Sequence, residues 1–260
     1  MAETPLVSMP LEPVTKPKRR RRWVWWLVWT TFGGLAIVVL ILLQPSPRSA
    51  RGAARLSVCQ HNLKQLAYAM RRYVEKHGRL PPARTFAADG TPLHSWRTLI
   101  LPDLGEKQLF ESIDLTKPWD DPVNARARKT PMPAYMCAEH GRALGLRTTY
   151  QVVISDAGVF RPDGSASAAE LAAADGHTCL VVDAPKDQAV HWMEPRDLDE
   201  ATFLGLPEPF DGHPFLKGGS MLGVNISGWI EYIIDSIEGD VDIRRSFVTT
   251  ANDEPLSKMY

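Results

Sequence analysis

From residue 23 to residue 44 the chain carries no charged side chain. The run reads WVWWLVWTTFGGLAIVVLILLQ, and as a helix rising 1.5 Å per residue it would extend about 33 Å, against a bilayer hydrocarbon core of about 30 Å. A buried core helix rarely runs this long without a charge, so the sequence predicts a transmembrane helix over 23–44. The flanks set the expected orientation. KPKRRRR at 16–22 places six cations against one end of the run, and Trp23, Trp25, Trp26 and Trp29 cluster at that same end, where indoles sit at headgroup depth. Both features place the N-terminus in the cytoplasm. Arg48, Arg51 and Arg55 reduce the asymmetry without cancelling it. The apolar part is longer than the roughly 7–15 residues of a cleavable signal peptide, which favours an uncleaved signal-anchor. The expected localisation is the inner (cytoplasmic) membrane, single-pass, with the main domain extracytoplasmic and the lipid bilayer as a partner through residues 23–44.

This divides the chain into a basic cytoplasmic tail (1–22), the transmembrane helix (23–44), a linker opened by Pro45 and Pro47 (45–54), a domain at 55–250 and a tail at 251–260. The domain has the size of one folded unit. The formal charge of the whole is zero, but residues 1–44 hold 6 basic and 2 acidic side chains and the rest 24 and 28. The main domain is therefore mildly acidic and offers no basic footprint to nucleic acid. Cys59, Cys137 and Cys179 are too few for a disulfide-stapled scaffold, and composition alone leaves their pairing open.

Along the domain, Leu56, Cys59, Leu63, Leu66, Met70 and Tyr73 step by three and four, which predicts an amphipathic helix over 56–77 ended by Gly78. His61, Lys64, Arg71, Arg72, Glu75 and Lys76 occupy its other face. Short helical turns are expected over 95–109 and 123–129, between proline-rich loops. The runs at 149–154, 179–182, 221–226 and 229–234 read as strands, the last two joined across Ser227-Gly228 as a hairpin. A long helix, then short helical inserts, then antiparallel strands is an α+β order.

Several segments together resemble one family. CQHNLKQLAYAMRRYVEKHGRLPP, from Cys59 onward, is similar to the "C-x-N-N-L-K-Q" helix of the planctomycete family DUF1559, whose members are related in form to type II secretion pseudopilins. LHSWRTLILPDL resembles its "SWR" block, IDLTKPWDDPVN its "PWD-x-P-x-N" block, YMCAEH its Tyr-x-Cys-Pro-Ser, and HWMEPRDL its "W-x-x-P-x-D-L" segment. NISGWIEYIIDSI stands at the family's closing hairpin. The blocks occur in the family's order over about residues 55–250. The resemblance implies a pilin-like long helix laid on an antiparallel sheet in an exported, membrane-tethered protein with no established enzymatic activity. Cys59 and Cys137, which stand in matching blocks, are the candidate disulfide. Two departures bear on function. The prepilin leader Gly-Phe-Thr-Leu-x-Glu is missing ahead of the apolar run, which argues against processing and filament packing. The His-Pro-Gly-Gly ahead of the closing hairpin has become His213-Pro214-Phe215-Leu216-Lys217-Gly218-Gly219.

No Gly-x-Ser-x-Gly elbow, His-Glu-x-x-His helix or phosphate-binding glycine loop is present. The sequence therefore predicts a non-enzyme without a cofactor. Candidate ligand or interaction residues are Arg97, Trp119, Asp120, Trp192 and Glu194. For Arg97 the structural alternative is an ion pair with a nearby aspartate such as Asp120, with Trp96 as a core plug. Cys137-x-x-His140 and His177-x-Cys179 form a weak candidate for a tetrahedral zinc set. The expected function is a membrane-anchored, pseudopilin-like protein with a structural or interaction role, its partners envelope proteins or a second copy of itself. The alternatives are an extracytoplasmic module for a small ligand or glycan, and a secretion or pilus component.

Overall fold

The computed structural model describes residues 20–42, 47–138, 141–173, 178–206, 221–225 and 230–233. The chain forms two units, Met1–Ser46 and Pro47–Tyr260.

Among the described residues of the first unit, the helix α1 runs over Arg20–Leu42. Its side chains are exposed throughout 23–39. The hydroxyls of Thr30 and Thr31 donate back to the carbonyls of Trp26, Leu27 and Val28. The helix opens on Arg20, Arg21 and Arg22, and its apolar sequence includes Thr30, Thr31, Gly33 and Gly34. Among the described residues no helix is long and apolar enough to cross a membrane. This corrects the expectation of a transmembrane helix at 23–44. The single-pass inner-membrane localisation, the bilayer as partner and the membrane-anchored pilin-like architecture and role are corrected with it.

The second unit opens with α2, Pro47–His77. The helix begins within the segment expected to be a linker. Proline suits a first helical turn, because its missing N–H would have no intrahelical partner there. The predicted stripe is buried: Cys59, Leu63, Leu66 and Met70 are all 0 % exposed, whereas His61, Lys64, Arg71, Arg72, Glu75 and Lys76 face outward. Gly78 ends the helix at φ +73°, a conformation that costs glycine little, with its N–H on the Val74 carbonyl at 2.8 Å.

The strands β1 (Arg84–Phe86) and β2 (Pro92–Ser95) follow as an antiparallel pair around Asp89-Gly90. Asp89 accepts from the Thr91 N–H at 2.9 Å, which closes the turn. Three short helices come next: α3 (Trp96–Leu99), α4 (Lys107–Glu111) and α5 (Ala125–Arg128). Pro102 and Pro122 each stand in the first turn of a 3₁₀ helix among them, which keeps the pieces short. Then come β3 (Arg147–Thr148), β4 (Tyr150–Gln151), β5 (Val153–Ile154), β6 (Phe160–Arg161), β7 (Gly164–Ser165), α6 (Ala168–Ala173), β8 (Cys179–Asp183), β9 (Val190–His191), β10 (Leu198–Asp199), α7 (Glu200–Leu204), β11 (Met221–Asn225) and β12 (Ile230–Ile233).

One sheet has the order β12-β11-β8-β4, antiparallel throughout, and α2 packs on β8 and β11. The predicted hairpin forms with Met221 opposite Ile233, while its turn at Ser227-Gly228 lies outside the described residues. A second sheet has the order β10-β5-β6-β7. The strand expected over 149–154 is thus two strands in two sheets, separated by Val152. In the core, Tyr135 lies edge-on to Trp96 at 6.3 Å between centroids and stacked on Trp192 at 6.0 Å. The fold class is mixed α+β.

Candidate functional site

At the gap between β4 and β5, Val152 directs its N–H to Asp197 Oδ1 at 3.0 Å. The same oxygen accepts from Trp96 Nε1 at 3.0 Å and from Arg97 Nη2 at 2.5 Å. The Arg97 and Asp197 side chains are 0 % and 1 % exposed. Every N–H of the Arg97 guanidinium is taken. Nε donates to the Tyr150 carbonyl at 3.0 Å, Nη1 to Glu194 O at 3.3 Å and to Asp197 Oδ2 at 3.5 Å, and Nη2 also to Arg196 O at 3.5 Å. The guanidinium carbon lies 4.8 Å from the Trp96 ring centroid. Burial pushes the Asp197 carboxyl above its ordinary range, opposed by Arg97, Trp96 and the Val152 N–H. Trp96-Arg97 and Asp197 lie 100 residues apart in sequence and meet as one saturated ionic centre.

Asp197 is also part of the wall of two adjoining cavities of about 430 and about 330 Å³. Both share Arg84, Asp197 and Asp199. The larger adds Ser155, Asp156 and Glu200, and the smaller adds Gln151, Asp187 and Arg196. The local sequence places these groups for identifiable reasons. Arg84 opens β1, where its guanidinium carbon lies 5.4 Å from the Phe86 ring centroid. Asp199 caps α7, accepting from the Thr202 N–H at 2.7 Å. Glu200 receives the Ser155 hydroxyl at 2.5 Å, and Gln151 donates to the Gln188 carbonyl at 2.8 Å. Arg196 is held by Glu194 at 3.0 Å. Arg84 differs from these groups, because its Nε is shielded from solvent and has no hydrogen-bond partner. The walls thus present mostly carboxylate acceptors around two guanidiniums, Arg196 held by Glu194 and Arg84 with an unused donor. That arrangement suits a ligand that supplies N–H or O–H donors and one acceptor group.

The residues singled out from sequence divide between these places. Arg97 lies behind the cavities, paired with Asp197. Asp120 is exposed, and its carbonyl accepts from Arg128 Nη1 at 3.2 Å. Trp192 is 1 % exposed and donates through Nε1 to the Thr130 carbonyl at 3.0 Å. Trp119 is half-buried beside His191 at 5.0 Å, with Arg128 over its ring at 6.0 Å. Glu194 reaches the cavity only through Arg196 and also accepts the His191 N–H at 3.2 Å. Of the proposed zinc set, His140 and His177 lie outside the described residues, as does the loop at 213–219. Cys179 Sγ donates to Val181 O within its own strand at 3.4 Å. Cys137 instead meets Cys59 and Asp183, whose ligand atoms lie within 4.8 Å of one another. Sequence reasoning missed Arg84, Asp199 and Glu200. The only signal for any of them was Asp199-Glu200 as a helix start, which points equally to an ordinary cap.

No curated protein and no solved structure matches the chain. The family model SBP_bac_10, described as "Protein of unknown function (DUF1559)", matches residues 48–196. That span contains α2, the Trp96-Arg97 pair and Arg84, and it ends one residue before Asp197. It covers more than half of the chain, which therefore belongs to the DUF1559 family.

Proposed function

We propose that this protein is a non-catalytic binding module of the extracytoplasmic binding-protein kind, holding a small polar ligand in the paired cavities around Arg84. The observation that carries the reading is Arg84, which lines both cavities together with Asp199 and has a buried Nε without a hydrogen-bond partner. The short name of the family model, SBP_bac_10, agrees with a binding-protein role. An ammonium or hydroxyl group of the ligand meets Asp156, Asp199 and Glu200, while its carboxylate or carbonyl meets Arg84. Amino acids and amino sugars have this chemistry.

The test is the thermal midpoint of the full chain against a panel of amino acids, amino sugars, neutral sugars and apolar amines. A ligand bound only by the native state at 100 times its Kd adds about 2.7 kcal/mol, a rise of several degrees for a domain of this size. A rise with an amine-bearing polar ligand that disappears in Arg84→Ala supports the proposal. No rise with any member of the panel, or a rise unchanged in Arg84→Ala, overturns it.

A further inference from the structure

Away from the cavities, the Sγ atoms of Cys59 and Cys137 stand 2.6 Å apart, 78 residues apart in sequence. Cys59 sits on the buried stripe of α2, and Cys137 follows the 3₁₀ turn Pro133–Tyr135. Neither position is accidental. Asn62, one turn after Cys59, donates through Nδ2 to the carbonyls of Pro133 at 3.3 Å and Met136 at 2.9 Å, which clamps the segment bearing Cys137 onto the helix. The Tyr150 hydroxyl reaches the Cys59 carbonyl at 3.4 Å. Asp183, at the end of β8, completes the cluster and also receives the Thr149 hydroxyl.

Two chemistries suit a pair of sulfurs beside a carboxylate. A structural zinc site takes four ligands, and among the described residues the cluster offers three, from Cys59, Cys137 and Asp183. A disulfide needs only the two sulfurs, and these are in contact.

We infer that Cys59 and Cys137 form a structural disulfide that locks α2 to the 133–137 segment, with Cys179 left out of it. In an oxidising compartment the donor is a protein or small-molecule disulfide. One thiolate attacks a donor sulfur and releases one donor thiolate. The second thiolate then attacks the mixed disulfide at the sulfur of the first cysteine and releases the other. The two cysteines are oxidised, the donor is reduced to two thiols, and the two protons pass to the released thiolates or to water. Cys59 and Cys137 are 0 % and 1 % exposed, so a donor reaches them before the core closes. In the reduced, folded chain the contact with Cys59, the burial and the Asp183 carboxylate all disfavour a thiolate at Cys137. The link is therefore made during folding and afterwards resists exchange.

The experiment uses the full chain refolded with oxidised glutathione, then unfolded and alkylated with and without prior reduction. One alkylated cysteine before reduction and three after, with a crosslinked peptide pair containing Cys59 and Cys137, is the expected result. The midpoint of the refolded protein should fall by roughly 5–15 °C when the link is reduced under denaturant and the protein allowed to refold, because the closed loop is long. Cys179→Ser should keep that fall, and Cys59→Ser and Cys137→Ser should each abolish it. Three alkylated cysteines without reduction, a crosslink through Cys179, or one equivalent of zinc whose removal exposes the thiols would each overturn the inference. The mass analysis is made on the unsubstituted chain, so a variant that fails to fold does not decide it. Its outcome is independent of ligand binding at Arg84.

Discussion

Arg97 and Arg84 are the same residue type on the two sides of Asp197, in opposite states. Arg97 is fully buried and all of its N–H groups are used, on Asp197 and three backbone carbonyls. Arg84 borders open volume, and its Nε has no partner. A saturated guanidinium in a closed site contributes to holding elements together. An unsaturated one at a cavity wall keeps the cost of a buried, unpaired donor in reserve for whatever enters. The difference separates a structural arginine from a recognition arginine, and the residues near each can be ranked by how completely their polar atoms are satisfied.

The largest expected effect is at Arg97. Arg97→Ala leaves the Asp197 carboxylate buried without its cation, which costs about 3–5 kcal/mol and should appear in urea unfolding as a lower midpoint at unchanged slope. The ion pair alone does not account for the loss. Replacing both partners with apolar residues often restores stability in buried pairs. Here Arg97→Met with Asp197→Leu strips donors from the carbonyls of Tyr150, Glu194 and Arg196 and an acceptor from Trp96 and Val152. The double variant should therefore stay well below the unsubstituted protein. Full recovery would mean that Arg97 is only a charge partner and not the joint between β4, α3 and the 194–197 segment.

Asn124 has the next largest expected effect. It is 0 % exposed; its Oδ1 accepts the Asp114 N–H at 2.8 Å, and its Nδ2 donates to the carbonyls of Asp114 at 3.2 Å and Pro118 at 3.0 Å. Asn124→Ala should cost about 2 kcal/mol, measured by the same unfolding transition, with no change in ligand binding at Arg84. A loss of binding would join the 114–124 insert to the recognition side.

His94 is intermediate between the two arginines. Its Nε2 bonds to the Lys117 carbonyl at 2.8 Å, but its Nδ1 is buried with no partner. The ring is therefore neutral with the proton on Nε2. Protonation would place an unanswered N–H in the core, and burial holds its pKa below the ordinary 6.5. The unfolded chain takes up the proton first as pH falls. Stability should thus be highest above pH 6.5 and decline as pH drops through the lower folded value. His191 is also lowered by burial and titrates in the same direction. A midpoint that declines between pH 7 and 5 in the unsubstituted protein, with a shallower slope in His94→Gln, checks the assignment. Equal slopes would place the titration at His191 or elsewhere.

Much of this was legible in the sequence, to an extent set by how local each signal is. The α2 stripe and the β11–β12 hairpin follow from periodicity within one element. The break at Val152 did not, because an apolar run reads the same whether it lies in one sheet or crosses between two. Trp96 was legible as core and Arg97 as a partner to an aspartate. The partner is Asp197 and not Asp120, since a contact 100 residues away leaves no local trace. The apolar run at 23–44 illustrates the opposite failure. Uncharged length predicted a spanning helix, but length alone does not weigh the arginines, threonines and glycines that α1 includes. The cavity residues were the least visible. Arg84 lies in a three-residue strand after two prolines, and nothing in RTF distinguishes a recognition arginine from a solvated one.

Arg84→Ala is the mildest change expected in the apparatus and the most informative. Its side chain makes no hydrogen bond through Nε and contributes only a contact over a half-exposed Phe86 ring. Surface cation–π contacts are worth about 0.5–1 kcal/mol, and the orphaned donor that disappears with the side chain offsets part of that. The unliganded protein should therefore shift by less than about 0.5 kcal/mol, in contrast to Arg97→Ala. The ligand-induced rise in thermal midpoint should vanish, because the acceptor end of the ligand has lost its only guanidinium partner, apart from an Arg196 already held by Glu194. Arg84→Lys keeps the charge but not the planar fork, and should recover part of the rise for a carboxylate ligand. If Arg84→Ala instead destabilises the unliganded protein as strongly as Arg97→Ala, the two arginines are not opposites. Arg84 would then be a second structural tie, and the cavities around it would be gaps between elements.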